Sequence, residues 1–522
     1  MRGNAMAVSS IIDVLIIGGG PTGSTLAIDL KRRGLTVRIV DKAAGSFEGS
    51  RAKGVQARTQ EVLQDLGALE DVQNGGGPYP LLGLHLGPLT IPWRMMAHSA
   101  PTADVPFPNI LLIPQFRTDK ALHDRLESLG GRVEYLTALE RLEQDETGVT
   151  ATLSREGVLE TVRARYLVGA DGGGSSVRIG LGIAFAGSTH EEDRMIIVDA
   201  TTTGLSHNRW HVWPGGGGKF IGACPLPNSE LFQWMIRLPE GETPELELEA
   251  VNRRIQKRIK DRRVKLHDIQ WKSVFRPNIR LAERYGKGRV FLAGDAAHVH
   301  PPAGAQGLNT GVQDAYNLGW KLGQVLAGAD PQLIDSYEAE RRPIAAAVLA
   351  LATRKFDGIA KSDPASIKRG KDESQLAVTY REAQPPAPGA DQTRTLQVGD
   401  RAPDAELVGP DGKIRLFDQF VGPQFTAIAW GPSAVSALVR LDWPSRGAGL
   451  KRIAIDTRVG AGFDMHLADP GRTFFKAYGV TGDTLFLIRP DGYVAQIACR
   501  DIDAKMKSAV ARFGPPTGSA AA

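Results

Sequence analysis

Cysteine is nearly missing from this chain: the 522 residues contain only Cys224 and Cys499. They lie far apart in sequence, which argues against a disulfide framework and gives neither the close spacing of a metal site. Charge of one sign is also missing. A net charge of +5 over this length gives no case for nucleic-acid binding. Basic residues do cluster between Arg253 and Lys265, around Val251, Ile255 and Ile259. That four-residue spacing predicts an amphipathic helix with a solvated outer face; the other use of such a face is to steer an anionic cofactor or substrate. No aromatics interleave with these cations, as nucleobase stacking would require. Nor is there an apolar run near the ~20 residues needed to cross a bilayer, and the flank Met1–Asn4 lacks a signal-peptide pattern. The expectation is a cytoplasmic protein without nucleic-acid or membrane partners. What remains is an ordinary globular composition, 42% hydrophobic and 23% charged, and a length that suggests about three structural units.

Against that plain background, glycine-rich turns stand out. Asp13–Ile17 reads as a buried strand running into Gly18-Gly19-Gly20-Pro21-Thr22-Gly23, which matches G-x-G-x-x-G through Gly18, Gly20 and Gly23. Such glycines permit a tight turn, close approach of backbone to a pyrophosphate, and close packing of helix on strand. The helix is expected to run through Leu26 and Leu30 to a stop at Gly34. The next strand, Leu35–Val40, then delivers Asp41 and Lys42, with the acid placed to bind adenosine ribose hydroxyls.

Two more turns follow apolar runs. Tyr166–Ala170 leads into Asp171-Gly172-Gly173-Gly174-Ser175-Ser176-Val177-Arg178. Read on its own, this is an Asp-Gly turn, an N-cap serine and a surface arginine. Val290–Ala293 leads into Gly294 and Asp295, then Pro301, Pro302, Gly304, Gly307, Leu308 and Asn309. Here an acid can accept hydrogen bonds from a sugar-like hydroxyl, the Pro/Gly stretch leaves room for a planar ligand, and free amides near Gly307 and Leu308 can stabilise negative charge. His298 and His300 do not complete a metal site, so no metal is expected.

Together, in this order and spacing, the three signatures resemble those of the single-component FAD-dependent aromatic hydroxylases, the p-hydroxybenzoate hydroxylase-like group, over residues 11 to about 350. The branch it is most similar to is that of the phenol and polyketide hydroxylases. The resemblance implies that Asp295 holds the ribityl chain of FAD. It also implies that Asp171 and Gly172 belong to a motif used for FAD and the nicotinamide cofactor. Ser50–Val55 resembles the segment in which an arginine, here Arg51, lies by the FAD phosphates and mobile flavin, with a structural ion pair as the alternative role. Ile113–Thr118 resembles a P-Q-x-x-T segment in which Gln115 contacts FAD, the alternative being a glutamine that satisfies backbone groups. Pro302, Gly307, Leu308 and Asn309 are the expected flavin and active-site lining, and no acid or base is assigned.

The implied fold is α/β and α+β: a Rossmann-like FAD-binding domain (1–78, 107–185 and 278–380) interleaved with a β-rich substrate domain (79–106 and 186–277). A linker at 381–397 and a thioredoxin-like domain at 398–522 complete it. Extended stretches at Met195–Val198, Trp210–Trp213 and Phe232–Ile236 belong to the substrate layer. In the last domain Gly431-Pro432-Ser433-Ala434 stands where a thioredoxin carries C-x-x-C, so dithiol chemistry is not expected.

The implied function is that of a FAD-dependent monooxygenase. It would hydroxylate a phenolic or polycyclic aromatic compound with NADPH or NADH and O2, through a flavin C4a-hydroperoxide. A second glycine fingerprint for an NADPH domain is absent, as is a G-x-S-x-G nucleophile elbow. Oxygen insertion beside a ketone, inactivation of an antibiotic, and a catalytically silent flavin- or ligand-binding protein remain the alternatives.

Overall fold

A computed structural model describes residues 11–190, 192–215, 220–301, 306–360, 372–384, 395–457 and 460–514, together with positions 363, 366 and 370. At its centre the strand Ile12–Ile17 pairs in parallel with Val37–Val40 on one side and Val158–Gly169 on the other. Val290–Leu292 and Val133–Glu134 extend the parallel core outward. Val14, Leu15 and Ile16 are fully buried; a parallel strand covered on both faces reads as an unbroken apolar run. The helix Pro21–Arg32 follows, and Gly34 ends the turn at φ +79° with its N–H donating to the Lys31 carbonyl.

Register decides where chemistry can occur. Ile17 lies opposite Val40 and Gly169, and Gly169 lies opposite Leu292. The strands therefore end side by side, and the segments after them (Gly18, Asp41, Asp171 and Asp295) emerge at one carboxyl edge, where open α/β sheets bind ligands.

A second sheet is seven-stranded, in the order Lys265–Phe275, Met195–Thr203, Leu231–Arg237, Ile221–Pro225, Arg209–Trp213, Leu81–Leu86 and Leu89–Trp93. Strands from 79–106 and from 186–277 thus share one sheet. Side chains alternate across it. Val198, Trp213, Ala223, Phe232 and Trp234 form a buried rear face with Val251 and Ile255 of the helix Leu248–Ile259. The basic positions Arg253, Lys257 and Arg258 of that helix point to solvent. The front face carries Asp199, Trp210, Cys224, Gln233 and Met235, and it meets the loop after Val37–Val40.

The third unit is a five-stranded mixed sheet: Met465–Leu467, Leu450–Ile455, Phe425–Trp430, Thr484–Ile488 and Val494–Ala498. Its strand Phe425–Trp430 runs parallel to Leu450–Ile455 and antiparallel to Thr484–Ile488. Trp320, from the long helix Gly307–Leu326, inserts among Phe425, Leu438 and Phe513. The side chains of Lys321, Glu340, Arg489 and Asp491 form a buried ionic knot at the same contact. Among the described residues no helix is long and apolar enough to cross a membrane.

Candidate functional site

The first glycine motif separates into two kinds of position. A Cβ on Gly18, whose φ is +110°, would lie 2.2 Å from the Ala170 carbonyl oxygen, and one on Gly23 would lie 1.9 Å from that of Gly18. Those two glycines serve packing. Gly20 is different: a Cβ there would meet nothing within 4 Å. It caps the Pro21–Arg32 helix without a side-chain cap and without an acid in the first turn, so the helix N-terminus faces open space beside a bare backbone. Pro21 occupies the first helical turn, where its missing N–H costs nothing. The Thr22 side chain is a wedge, since Cβ atoms on Gly294 and Gly311 would lie 2.5 and 2.4 Å from its hydroxyl oxygen. Thr22 thereby locks the first motif against the third.

Asp41 accepts the Gly19 N–H at 2.7 Å on one carboxylate oxygen and the Ala43 N–H at 2.8 Å on the other. Lys42 beside it is exposed. Both Asp41 oxygens keep lone pairs for further donors.

Asp171 accepts the N–H and hydroxyl of Ser176 at 2.7 and 2.9 Å, and Ser175 caps the short helix by accepting the Arg178 N–H. Gly172 sits at φ +78°. The Asp-Gly turn and N-cap expected from the residues alone are therefore present. Arg178 is not a surface charge, however. It is buried over the Phe185 ring and donates to the carbonyls of Ala296 and Gly173 at 2.9 and 2.8 Å. A guanidinium buried away from water needs such acceptors, and here they tie the second motif to the third.

In the third motif Gly294 adopts φ +61°, and its N–H donates to Asp314 at 3.1 Å. Asp314 also pairs with Arg341 and His298, both at 2.7 Å. Burial raises the Asp314 carboxyl, but Arg341 and His298 bring it below the usual carboxylate range. His298 is thus part of the scaffold, and no metal-holding group of three His, Cys, Asp or Glu occurs among the described residues. Asp295 is exposed at the sheet edge. His300 hydrogen-bonds the Pro301 carbonyl through Nδ1, while its Nε2 is buried without a partner among the described residues. Burial pushes its pKa down, keeping it neutral. Pro302 and Gly304 lie outside the described residues.

The helix Gly307–Leu326 begins with no side-chain cap at Gln306. Gly307 and Leu308 are half-buried at this start. Asn309 is fully buried; its amide donates to the Gly54 carbonyl and its oxygen accepts the Gln56 N–H, each at 2.8 Å. Asn309 thus clamps the segment after Arg51 to the helix. Arg51 is exposed, its guanidinium 5.3 Å from the Phe47 ring centroid, and no ion pair to it occurs among the described residues. Gln115 accepts the Ala52 N–H at 3.2 Å, the backbone-satisfying use, and so supports the Arg51 loop.

A buried polar junction escaped the sequence. Ser50 donates its N–H and hydroxyl to Asp199 at 2.7 and 2.5 Å, Gln233 donates to the Ser50 carbonyl at 2.5 Å, and the Lys53 ammonium donates to Gln233. Burial pushes the Asp199 carboxyl up to about 6 and the Lys53 amine down. Alternation in Phe232–Ile236 signals that Gln233 and Met235 share a face, but nothing local says that Lys53, in a loop 180 residues earlier, reaches it.

With this geometry in place, comparison with known proteins is decisive. Residues 11–352 match the family described as FAD binding domain. The chain belongs to that family. Within the FAD-binding domain family it is 39% identical over 495 residues to a flavin-dependent monooxygenase of Mycobacteroides abscessus, covering 92% of this chain and 96% of the relative. It is 34% identical to the 12-dehydrotetracycline 5-monooxygenase/anhydrotetracycline 6-monooxygenase of Streptomyces rimosus, with 97% and 99% covered. The crystal structure of aklavinone-11 hydroxylase with FAD and aklavinone superposes with a TM-score of 0.80 at 26% identity, covering 97% of this chain and 99% of that one. The chain is a flavoprotein monooxygenase with FAD as its cofactor. The residues present fit that cofactor: the uncapped helix at Gly20 suits a diphosphate, the exposed Asp295 a polyol, and the uncapped Gly307 helix a ring system that gains negative charge.

Proposed function

We propose that this monooxygenase hydroxylates a phenolic or polycyclic aromatic compound with NAD(P)H and O2. The observation that carries the reading is the junction of the two sheets. The front face of the seven-stranded sheet is hydrogen-bonded through Asp199 and Gln233 to the Ser50–Lys53 loop, at the edge where the FAD motifs converge. Aromatic and thioether surface on that face, from Trp210 and Met235, suits a flat substrate. The relatives support the substrate class: they include an anhydrotetracycline monooxygenase and a pentachlorophenol 4-monooxygenase.

In this reading Gly18, Gly20, Pro21, Thr22 and Gly23 shape the diphosphate site, with Arg51 in reach of the phosphates. Asp41 and Lys42 take the adenosine ribose, and Asp295 the ribityl hydroxyls. Gln115, Asp171 and Gly172 hold the loops around them, and Asn309 fixes the Gly307 helix to the Arg51 loop. When bound, FAD supplies the electron transfer from NAD(P)H and the activation of oxygen. The chain's own share is to orient the ring, to keep water out through the buried Pro301 and the packed Leu308, and to offer the first-turn N–H groups at Gly307 and Leu308 to developing negative charge. His300, held neutral, adds no competing positive charge there.

The division of the chain follows the same logic: 1–78, 107–185 and 278–380 bind FAD, 79–106 and 186–277 face the substrate, and 398–522, beyond the 381–397 linker, buttresses the Gly307 helix. The test is NAD(P)H oxidation by the FAD-loaded protein across a panel of phenols and polycyclic hydroxyaromatics, with product structure read by mass spectrometry and NMR. A ring hydroxyl is the expected product. A lactone or ester would move the reading to oxygen insertion beside a ketone, and no stimulation by any aromatic would remove it.

A further inference from the structure

We propose that Lys53 is a substrate-contacting catalytic residue, whose side-chain amine takes the proton of an acidic ring hydroxyl and holds the substrate as its phenolate on the front face of the seven-stranded sheet. The proposal rests on the aromatic-hydroxylase reading and deepens it. Its first support is the asymmetry of the sheet. On the rear, Trp213, Phe232, Trp234 and Ile236 are buried under the Leu248–Ile259 helix, whereas on the front Trp210, Val212 and Met235 are only half-buried. The front is the side that no helix closes off.

Lys53 reaches this face from the Arg51 loop and is itself 9% exposed. Its side-chain nitrogen donates to the Gln233 side-chain oxygen, lies 3.9 Å from the Met235 sulfur and sits 4.3 Å from the centroid of the Trp210 ring. Once protonated, the lysine has three donors to place; a thioether is a weak acceptor and a ring face accepts only diffusely. A buried lysine is ordinarily paired with a carboxylate. Asp199 is near, but its two oxygens each accept from Ser50, and no Lys53–carboxylate ion pair occurs among the described residues. The Trp210 indole N–H supplies an independent observation, being buried with no acceptor among the described residues, above Gly222 in the same face. The Lys53 nitrogen, with Gln233 as its one strong acceptor, and the Trp210 N–H, with none among the described residues, face one half-open surface and specify an oxygen that carries negative charge.

The proton balance closes between Lys53, the substrate and solvent. The substrate O–H bond breaks and an N–H bond forms on Lys53, giving an ammonium–phenolate pair. The freed lone pair raises electron density at the ring carbons ortho and para to it, which is where the monooxygenase delivers oxygen. When the hydroxylated carbon loses its hydrogen to solvent as a proton, Lys53 returns its proton to the phenolate oxygen. Burial lowers the pKa of Lys53, which favours the neutral amine that begins this cycle. The titratable groups facing it are Asp199 from the Met195–Thr203 strand and Cys224 from the Ile221–Pro225 strand. Burial raises both, leaving them less charged beside the amine.

The probe is 1,2-dihydroxyanthraquinone, yellow as the phenol and red-violet as the phenolate, titrated into the FAD-loaded full chain across pH and read at wavelengths beyond the flavin. Wild type is expected to ionise the bound dye at least tenfold more readily than water does, a shift of about one pH unit or more. Lys53→Met should abolish the shift while FAD content stays at the wild-type level. If that variant fails to fold, Trp210→Phe, which keeps a ring and removes the N–H, should reduce the shift. A wild-type protein that leaves the dye's ionisation as it is in free solution overturns the proposal, as does an undiminished shift in the folded variant. Because the readout is ionisation of a bound dye, such a failure is distinct from failure of the hydroxylase reading, which shows as the absence of aromatic-stimulated NAD(P)H oxidation.

Discussion

Three motif acids differ in how far their oxygens are already committed. Asp41 and Asp171 accept backbone amides, whereas Asp295 is exposed and makes no hydrogen bond among the described residues. On the proposed reading, removing Asp295 therefore costs a ligand contact and little else. Asp295→Ala is expected to weaken FAD binding by roughly 10- to 100-fold, the loss of about 1.5–3 kcal/mol for a hydrogen bond to a charged group. The melting temperature of the FAD-free protein should stay unchanged, and fluorescence titration of FAD into stripped protein measures the effect. Asp119 carries a pH signature. Burial, opposed by a weak Gln115 contact and aided by Asp41, pushes its carboxyl up to about 8. A folded-state value above the unfolded one, about 4, means that the folded state holds more protons between those limits. Stability then falls as pH rises from about 4 to about 8. Asp119→Asn should remove that slope, matching wild type near pH 4 and exceeding it at pH 8 by on the order of 1–3 kcal/mol, as read by thermal melts at both pH values. At this scale the sequence showed which residues form the turns, because glycine, aspartate and proline at those offsets have few other uses. It did not show that Arg178 is buried or that Asn309 bonds to Gly54 and Gln56, since both depend on partners more than 100 residues away.

Among elements, the parallel core was legible because a glycine turn after an apolar run, followed by a helix with its own stop, specifies strand–helix–strand on local grounds. The pairing of Leu81–Leu86 with Arg209–Trp213 was not, since register between residues 128 apart, such as Leu81 and Arg209, leaves no local trace. The wedge of Thr22 against Gly294 and Gly311 explains why the first and third motifs must fold as a unit. The contact between the Gly307–Leu326 helix and the C-terminal sheet is also specific. Arg489 donates to both oxygens of Glu340 and to Asp491, and Lys321 donates to Glu340, all of them buried. Arg489→Met leaves buried Asp491 without a cation and Glu340 with Lys321 alone. It should destabilise the protein by about 3–5 kcal/mol, the usual cost of breaking a buried ion pair from one side. Chemical denaturation of the FAD-loaded variant checks this, and a midpoint within error of wild type would show that the knot contributes nothing.

On the scale of the whole molecule, the C-terminal sheet packs on the Gly307 helix, and the seven-stranded sheet meets the Arg51 loop that this helix clamps. That loop is fixed by Asn309 and Gln115 at its ends, while Arg51 itself is exposed. With no second nucleotide fold for NAD(P)H among the described residues, we expect bound aromatic substrate to accelerate flavin reduction by favouring the arrangement that the nicotinamide can reach. Arg51→Ala should slow that reduction more than it loosens FAD. Anaerobic rapid mixing measures both, and equal rates with and without substrate would remove the gate while leaving the hydroxylase standing. The central claim is that the chain inserts one atom of molecular oxygen into an aromatic ring. The most direct measurement supplies labelled oxygen gas or labelled water, with NAD(P)H and a phenol that stimulates its oxidation, and weighs the product. The account predicts one labelled oxygen from the gas and none from water; label arriving only from water would contradict it.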